Sequence, residues 1–281
     1  MNKAVSIFKV NNKFVKLYVE AEKFDSGEND ILYLKDKSPT MFATWERQGF
    51  TVQKFLSKEI IDKFNAGISS TIKSFVDKYV SSKEFTLEKY HTFVTDDIHY
   101  KIIEEIRAGS SGTGGIPLDT FPIPISIVEN RISEICNSKV TCRKTSNGSK
   151  VDHFWIRIVR PGSNDNNPPH RDVHLERSRG AVNLYFPIAG SNENSSLPII
   201  PESHLWSEAE IVRTFGETRV NGIKYTNPAT ISSVRGLEMM TPNPNVDEVL
   251  VFSPYALHGG GVNFNKDLTR VSLELRFWLN E

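Results

Sequence analysis

The run NNPPHRDVHLE, closing at Glu176, gathers two imidazoles and two carboxylates behind a pair of prolines. His170 and Asp172 are one residue apart, so on an extended backbone both side chains point the same way while Arg171 points the other. An imidazole and a carboxylate so placed are the local half of a facial triad. That arrangement of two histidines and one carboxylate grips a divalent metal on one side and leaves the opposite positions open, as chemistry with dioxygen requires. A His-x-Asp pattern also arises by chance. It acquires meaning only if a second histidine arrives from a distant part of the chain.

The candidates for that role are His91, His99, His153, His174, His204 and His258. His258 lies in VLVFSPYALHGGGVNF, just after an apolar strand-like run and just before Gly259 to Gly261, which let the backbone turn tightly beside a bound ion. Twelve residues on comes Arg270, with Ser272 on the same face of the strand it heads. His174 shares a strand face with His170 and Asp172 but sits two steps further along, and is expected to touch substrate or solvent. His204, at the end of PESH, is expected to tie down a turn or border a pocket. His91, His99 and His153 lack partners at useful spacing and read as structural, and Glu176 reads as a solvated loop carboxylate.

The elements that must position these residues divide the chain by texture. AVSIFKV, KFVKLYVEA and DILYLKD read as short strands, the first two joined at Asn11-Asn12. From Ser57, a plausible N-cap, Ile61, Phe64, Ile68, Ile72, Phe75 and Tyr79 recur at helical steps. Further helices are expected from Asp96 or Asp97 towards Arg107 and from about Ile125 to Cys136. AGSSGTGGIP is glycine-rich but follows no strand and lacks a phosphate-loop lysine, so it reads as a mobile surface loop. After Ser138 the pattern becomes β: KVTCRKT and VDHFWIRIV flank Ser146-Asn147-Gly148, then AVNLYFPI, TRVNGIKY, EVLVFS and RVSLELRFWL follow. Helices first and strands afterwards argue for an antiparallel sandwich or barrel. In the last strand, Arg270 to Phe277, polar and apolar residues alternate without error. Its apolar face suits packing beneath helices, and its polar face is either solvated or lines a cavity. Trp155 with Arg157, and Asn183 with Tyr185, are pairs that share a face in the same way. The alternate sets, Phe154 with Ile156 and Val182 with Leu184, remain equally open.

Composition sets outer bounds. In 281 residues, 38% are apolar and 24% charged, as in a globular protein able to bury a large core. Lys plus Arg equals Asp plus Glu, 34 each, giving no bulk reason to expect nucleic acid or an anionic membrane. MNKAVSIFKVNNKF interrupts its apolar run with Lys9 and Asn11 and does not read as a signal peptide or span. Two cysteines make no disulfide framework and match no zinc motif, so a cytoplasmic location with reduced thiols is expected.

Taken together, WERQGFTVQKFLSKEIIDKF, HRD, LPIIPESH, VFSPYALHGGGVN and RVS resemble, in that order, the iron(II)- and 2-oxoglutarate-dependent oxygenases, and within them the phytanoyl-CoA dioxygenase-like branch. LPIIPESH departs from that family's Pro-Gly-Ser-His turn, with Glu202 in place of glycine. The resemblance implies a mainly β (α+β) fold, a double-stranded β-helix or jelly roll buttressed by N-terminal helices. The resembling pieces span residues 45 to 277, and a single domain is expected over 1–281, with N-terminal strands and supporting helices in 1–137 and the jelly-roll core in 138–281. The resemblance also implies Fe(II) on His170, Asp172 and His258, and 2-oxoglutarate held at its distal carboxylate by Arg270 and Ser272; Asn183 and Tyr185 are further pocket candidates from strand alternation alone. A guanidinium suits that carboxylate because it presents a planar pair of donors. The implied reaction consumes dioxygen, releases succinate and CO2, and hydroxylates an unactivated C–H bond of a small-molecule substrate. Desaturation and ring formation stay open, whereas halogenation is disfavoured because Asp172 fills the position a halide would need. The rival reading, from another class, is a non-catalytic metal-binding β-barrel serving as a sensor or binding module. Arg276 lies on the face of Arg270, six residues on, and is expected to pair with Glu274 or another carboxylate. Ala108 to Pro117 and Ser191 to Ser207 are the candidate lids.

Overall fold

The computed structural model describes residues 1–81, 84–108, 115–146, 149–163, 165 and 167–280. Strands β1 (Asn2–Val10) and β2 (Lys13–Ser26) meet at Asn11 and Asn12, both in left-handed backbone with φ 46° and 66°. Such a two-residue turn matches the twist of the strands it joins. Then come β3 (Phe50–Lys54), β4 (Ile116–Pro117), β5 (Val140–Thr141), β6 (Lys144–Ser146), β7 (Ser149–Val151) and β8 (His153–Val159). The later strands are β9 (Ala181–Ala189), β10 (Ile211–Val220), β11 (Ile223–Tyr225), β12 (Thr230–Ser233), β13 (Glu238–Met239), β14 (Glu248–Phe252) and β15 (Arg270–Leu279). The helices are α1 (Lys58–Val76), α2 (Tyr90–Phe93), α3 (Asp96–Ala108) and α4 (Ile125–Cys136).

One sheet runs β3-β14-β9-β15-β8-β4, with β5 added to β15. The other runs β11-β10-β2-β1-β13, with β12 on β10. Neighbours are mostly antiparallel and mostly non-consecutive in sequence, the pattern of a jelly roll. The larger sheet is apolar on its outer face, where Leu184, Phe186, Leu273, Leu275 and Phe277 form one core with Phe64, Ile68, Ile72, Ile102 and Ile132 of the helices. The helices therefore cover one side of the sheet, which leaves the other side of β8, β9 and β15 to face the interior.

Three expectations change here. DILYLKD forms a 3-10 turn, Leu32–Lys35, instead of a third strand, with Leu32 and Tyr33 both buried and Leu34 exposed. Ser57 sits at the N-cap of α1, but its side chain makes no capping hydrogen bond. The N-terminal strands do not stand outside the core expected to begin at residue 138, because β2 pairs along β10 from Ser26 to Val19 and so completes the second sheet. The turn Asn147-Gly148 and most of the glycine-rich segment lie outside the described residues. Among the described residues, no helix is long and apolar enough to cross a membrane.

Candidate functional site

Pro168 and Pro169 hold the approach to His170 extended, and His170 pairs with His258 as an isolated antiparallel bridge: His170 N donates to His258 O at 2.9 Å and His258 N to His170 O at 3.1 Å. This backbone exchange sets the two rings 4.5 Å apart. Gly259 follows with φ +94°, and a Cβ there would lie 2.7 Å from Pro168 O and 2.8 Å from His170 Nδ1. The glycine run is thus needed for close approach as well as for the turn. Arg171 is extended and points away, as the i, i+2 spacing requires. It is fully buried, bonded to Glu208 and to the carbonyls of Ser203 and Trp206.

His170, Asp172 and His258 each present a ligand atom, all within 4.8 Å of one another. His170 Nδ1 contacts Pro168 O at 2.7 Å and His258 Nδ1 contacts Ala256 O at 2.9 Å. A backbone carbonyl can only accept, so each Nδ1 carries the proton and each Nε2 turns a lone pair inward. His170 Nε2 is 3.2 Å from Asp172 Oδ1, and His258 Nε2 is 3.8 Å from Oδ2. Three lone-pair donors this close repel one another unless a cation lies among them. The donor set fits a divalent metal with imidazole and carboxylate ligands. Burial and the adjacent His170 pull His258 down to about 4, so it is neutral and able to ligate near pH 7. Burial alone would raise the Asp172 carboxyl, but the Arg276 guanidinium beside it holds it well below the usual range. Asp172 is positioned on both oxygens: Asn227 Nδ2 donates to Oδ1 at 3.1 Å, while Asn183 Nδ2 at 2.9 Å and Arg276 Nη2 at 2.8 Å donate to Oδ2.

The polar face of β15 points inward. Arg270 is 4% exposed, Ser272 is fully buried, and Arg270 Nε and Nη1 and Ser272 Oγ have no hydrogen-bond partner among the described residues. Arg270 lines the small cavity that also holds His258, Asp172 and Asn183. Gly261 lets the guanidinium in, since a Cβ there would sit 3.2 Å from Arg270 Nη1. Of the alternating pairs, Asn183 reaches the triad. Tyr185 lies behind Arg270, its ring centroid 6.0 Å from the guanidinium carbon and its hydroxyl on Ser191 at 2.9 Å. Phe154 and Ile156, like Val182 and Leu184, belong to the helix-side core.

A second cavity of about 290 Å³ opens on the other side of His170 and is lined by Trp155, Arg157, Arg177, Tyr225, Asn227 and Arg276, among others. Arg276 stacks on Trp155 at 4.3 Å while gripping Asp172, and Arg157 pairs with Glu274 at 3.1 Å. The expectation that Arg276 meets a carboxylate thus holds with Asp172, and Glu274 is taken by another arginine. The remaining histidines stay away from the triad. His174 Nε2 meets Glu208 at 3.0 Å, where it was expected to touch substrate or solvent. His99 is held between Tyr90 and Asp165, His91 contacts Thr269, His153 packs edge-on against Trp155, and His204 packs edge-on against Tyr33. Ser191 to Ser207 is pinned beside the triad: Ile199 exchanges backbone hydrogen bonds with Met240, and Gly259 N donates to Pro198 O at 3.1 Å. The other lid candidate, Ala108 to Pro117, is mostly outside the described residues. Asn227 and Arg177 carried no spacing signal, since Asn227 sits in a loop and Arg177 in a single 3-10 turn, Glu176–Ser178.

No family model matches the sequence, and no curated protein matches it. Solved structures similar to this chain include EctD from S. alaskensis with 2-oxoglutarate and 5-hydroxyectoine, at 12% identity over 92% of this chain and 85% of that chain, with a TM-score of 0.47. Another is AviO1 from Streptomyces viridochromogenes Tue57, at 16% identity over 90% of this chain and 96% of that one, with a TM-score of 0.45. With likenesses this distant, the meaning of the site rests on this chain's own geometry.

Proposed function

We propose that the protein is an Fe(II)- and 2-oxoglutarate-dependent dioxygenase, of the phytanoyl-CoA dioxygenase-like kind, that hydroxylates a C–H bond of a small molecule. The observation that carries this reading is a single one: three convergent metal donors share a buried cavity with the open donor edge of Arg270. A barrel that only stored or sensed a metal would gain nothing from a buried guanidinium with unpaired N–H groups, which is costly to maintain. His170, Asp172 and His258 would hold the iron, which supplies activation of dioxygen when bound.

The chain's own residues do the rest. Arg270 would pair with the distal carboxylate of 2-oxoglutarate, with Ser272 Oγ adding a donor from the same face. Arg276, Asn183 and Asn227 keep Asp172 ionised and fixed in rotation. Leu197 and Phe252 wall the small cavity and would keep water from the cosubstrate. Substrate would enter the larger cavity, which touches the triad at His170.

Anaerobic protein given Fe(II) and 2-oxoglutarate should develop a visible metal-to-ligand charge-transfer band. Asp172→Ala should abolish it. Arg270→Gln should weaken 2-oxoglutarate by about a hundredfold, because a buried carboxylate would lose its charge-assisted partner. A metal-only barrel would bind iron with no such band, and its affinity would be indifferent to Arg270.

A further inference from the structure

Arg157, Arg177 and Arg276 line the larger cavity, and among the described residues all but Arg177 have a charged partner. Arg157 is matched by Glu274, and Arg276 by Asp172. Arg160 is bonded to Asp165 at 2.8 Å and to Asp96 at 2.6 Å, and Asp165 is further held by His99. Arg177 has no ion pair or hydrogen bond among the described residues, and its Nε is buried without a partner. Its electrostatic neighbours are Arg276, His153 and Asp172. Asp172 cannot serve it, since that carboxylate is already shared between Arg276, two asparagines and the metal donors. Glu176 lies next in sequence but is exposed and turned to Arg179. The cavity thus keeps one positive charge, half-buried and uncompensated, beside a second guanidinium that repels it. A cation in that position is costly unless something negative arrives to meet it.

We infer that Arg177 is the anchor for an oxyanion group, a carboxylate or a phosphate, on the substrate. This rests on the proposed function for the identity of the site, and adds to it the charge of the molecule that fills the larger cavity. Its volume of about 290 Å³ limits that molecule to a small metabolite. With the oxyanion at Arg177, the body of the substrate would run past Trp155 and Tyr225 towards His170. That orients one end of the molecule to the metal and keeps its charge apart from the cosubstrate carboxylate at Arg270.

The test uses the full-length protein without added iron, with sodium acetate and inorganic phosphate as separate probes at constant ionic strength. Binding is followed by titration calorimetry and by the melting temperature, for the wild type and for Arg177→Met. Acetate also suits the Arg270 end, so the readout is the part of the response that the substitution removes. At least one probe should bind about tenfold more weakly, or not at all, to Arg177→Met. Without either probe, that variant should melt at or above the wild-type temperature, having lost an unpaired charge. Arg177→Lys, which keeps charge but not the planar fork, should retain a partial response. Equal binding of both probes to wild type and Arg177→Met would overturn the inference. So would an Arg177→Met protein that melts well below the wild type, since the guanidinium would then belong to the scaffold. The charge-transfer band is read separately on the wild type. Its absence alongside an Arg177-dependent anion response would sink the oxygenase reading and leave the anion site standing. Its presence alongside identical anion responses would do the reverse.

Discussion

Glu208 illustrates how much of the site is held from behind. Its carboxylate is 3% exposed and accepts from Arg171, His174 and Arg213. Arg171 stands between His170 and Asp172 in sequence, so anything that moves its backbone moves both. Burial alone would raise the Glu208 carboxyl, but His174, Arg171 and Arg213 outweigh it and bring it down to about 2. A carboxyl with a folded pKa below its unfolded value contributes stability in full above the unfolded value, and that contribution is lost as pH falls through the folded one. The window here runs from about pH 4.5 down to about pH 2, and the contribution is on the order of 3 kcal/mol. Glu208→Gln should therefore cost about 3–5 kcal/mol at pH 7, because Arg171 would be left buried without a counter-charge. The gap from the wild type should narrow as pH drops through that window. Urea unfolding at a series of pH values measures it. A gap that stays constant to pH 2 would mean that the charge of Glu208 is not what Arg171 needs.

At the scale of elements, the segment from Tyr255 to Gly261 carries the greatest geometric demand, because it must deliver His258 and then leave at once. Gly259→Ala would drive a Cβ into the Pro168 carbonyl and the His170 ring, and would strain a backbone at φ +94°. The expected result is a loss of about 1–3 kcal/mol in stability and roughly 10- to 100-fold in metal affinity. Gly162→Ala is the control, since its φ is +62° but a Cβ there would meet nothing within 4 Å. It should lose about 1 kcal/mol and no metal affinity. Equal metal loss in both variants would show that backbone strain, and not contact with His170, was responsible. The elements themselves were largely legible in the sequence. The flawless alternation of Arg270 to Phe277 announced a strand with one polar face, and the helical steps of Ile61, Phe64, Ile68 and Ile72 announced α1. PESH announced its turn even with Glu202 at the left-handed position, φ +58°, where a glycine would be at ease. Partnerships set by strand register and loop paths were illegible. That Arg276 reaches Asp172 depends on β15 pairing antiparallel with β9 in the register that sets Arg276 opposite Asn183, and Asn227 arrives from a loop with no periodicity. DILYLKD misled because a short apolar run has the same composition in a strand and in a 3-10 turn.

At the scale of the molecule, the question is whether the first hairpin is an attachment or part of the frame. β1 and β2 stand between β10 and β13, so without them the second sheet is split into fragments with no shared edge. Phe8, Val10, Val15, Leu17 and Val19 from this hairpin form the second core with Ile211, Val220, Leu237, Met239 and Leu257. Leu257 directly precedes His258, so that core backs the candidate metal site from the side opposite the helices. Burying five such side chains is worth roughly 7–15 kcal/mol as an upper estimate, which is comparable to the whole stability of a typical domain. Ser6 Oγ, fully buried, also donates to Thr230 O at 3.0 Å, and removing it would strand that carbonyl. Deleting residues 1–26 should therefore abolish the cooperative thermal transition seen by circular dichroism. It should also abolish the rise in melting temperature that a non-redox divalent ion is expected to give the full chain. A soluble 27–281 protein that still melts cooperatively and still gains stability from the ion would mean that the larger sheet and its helices fold alone, with the hairpin as an addition to a finished core.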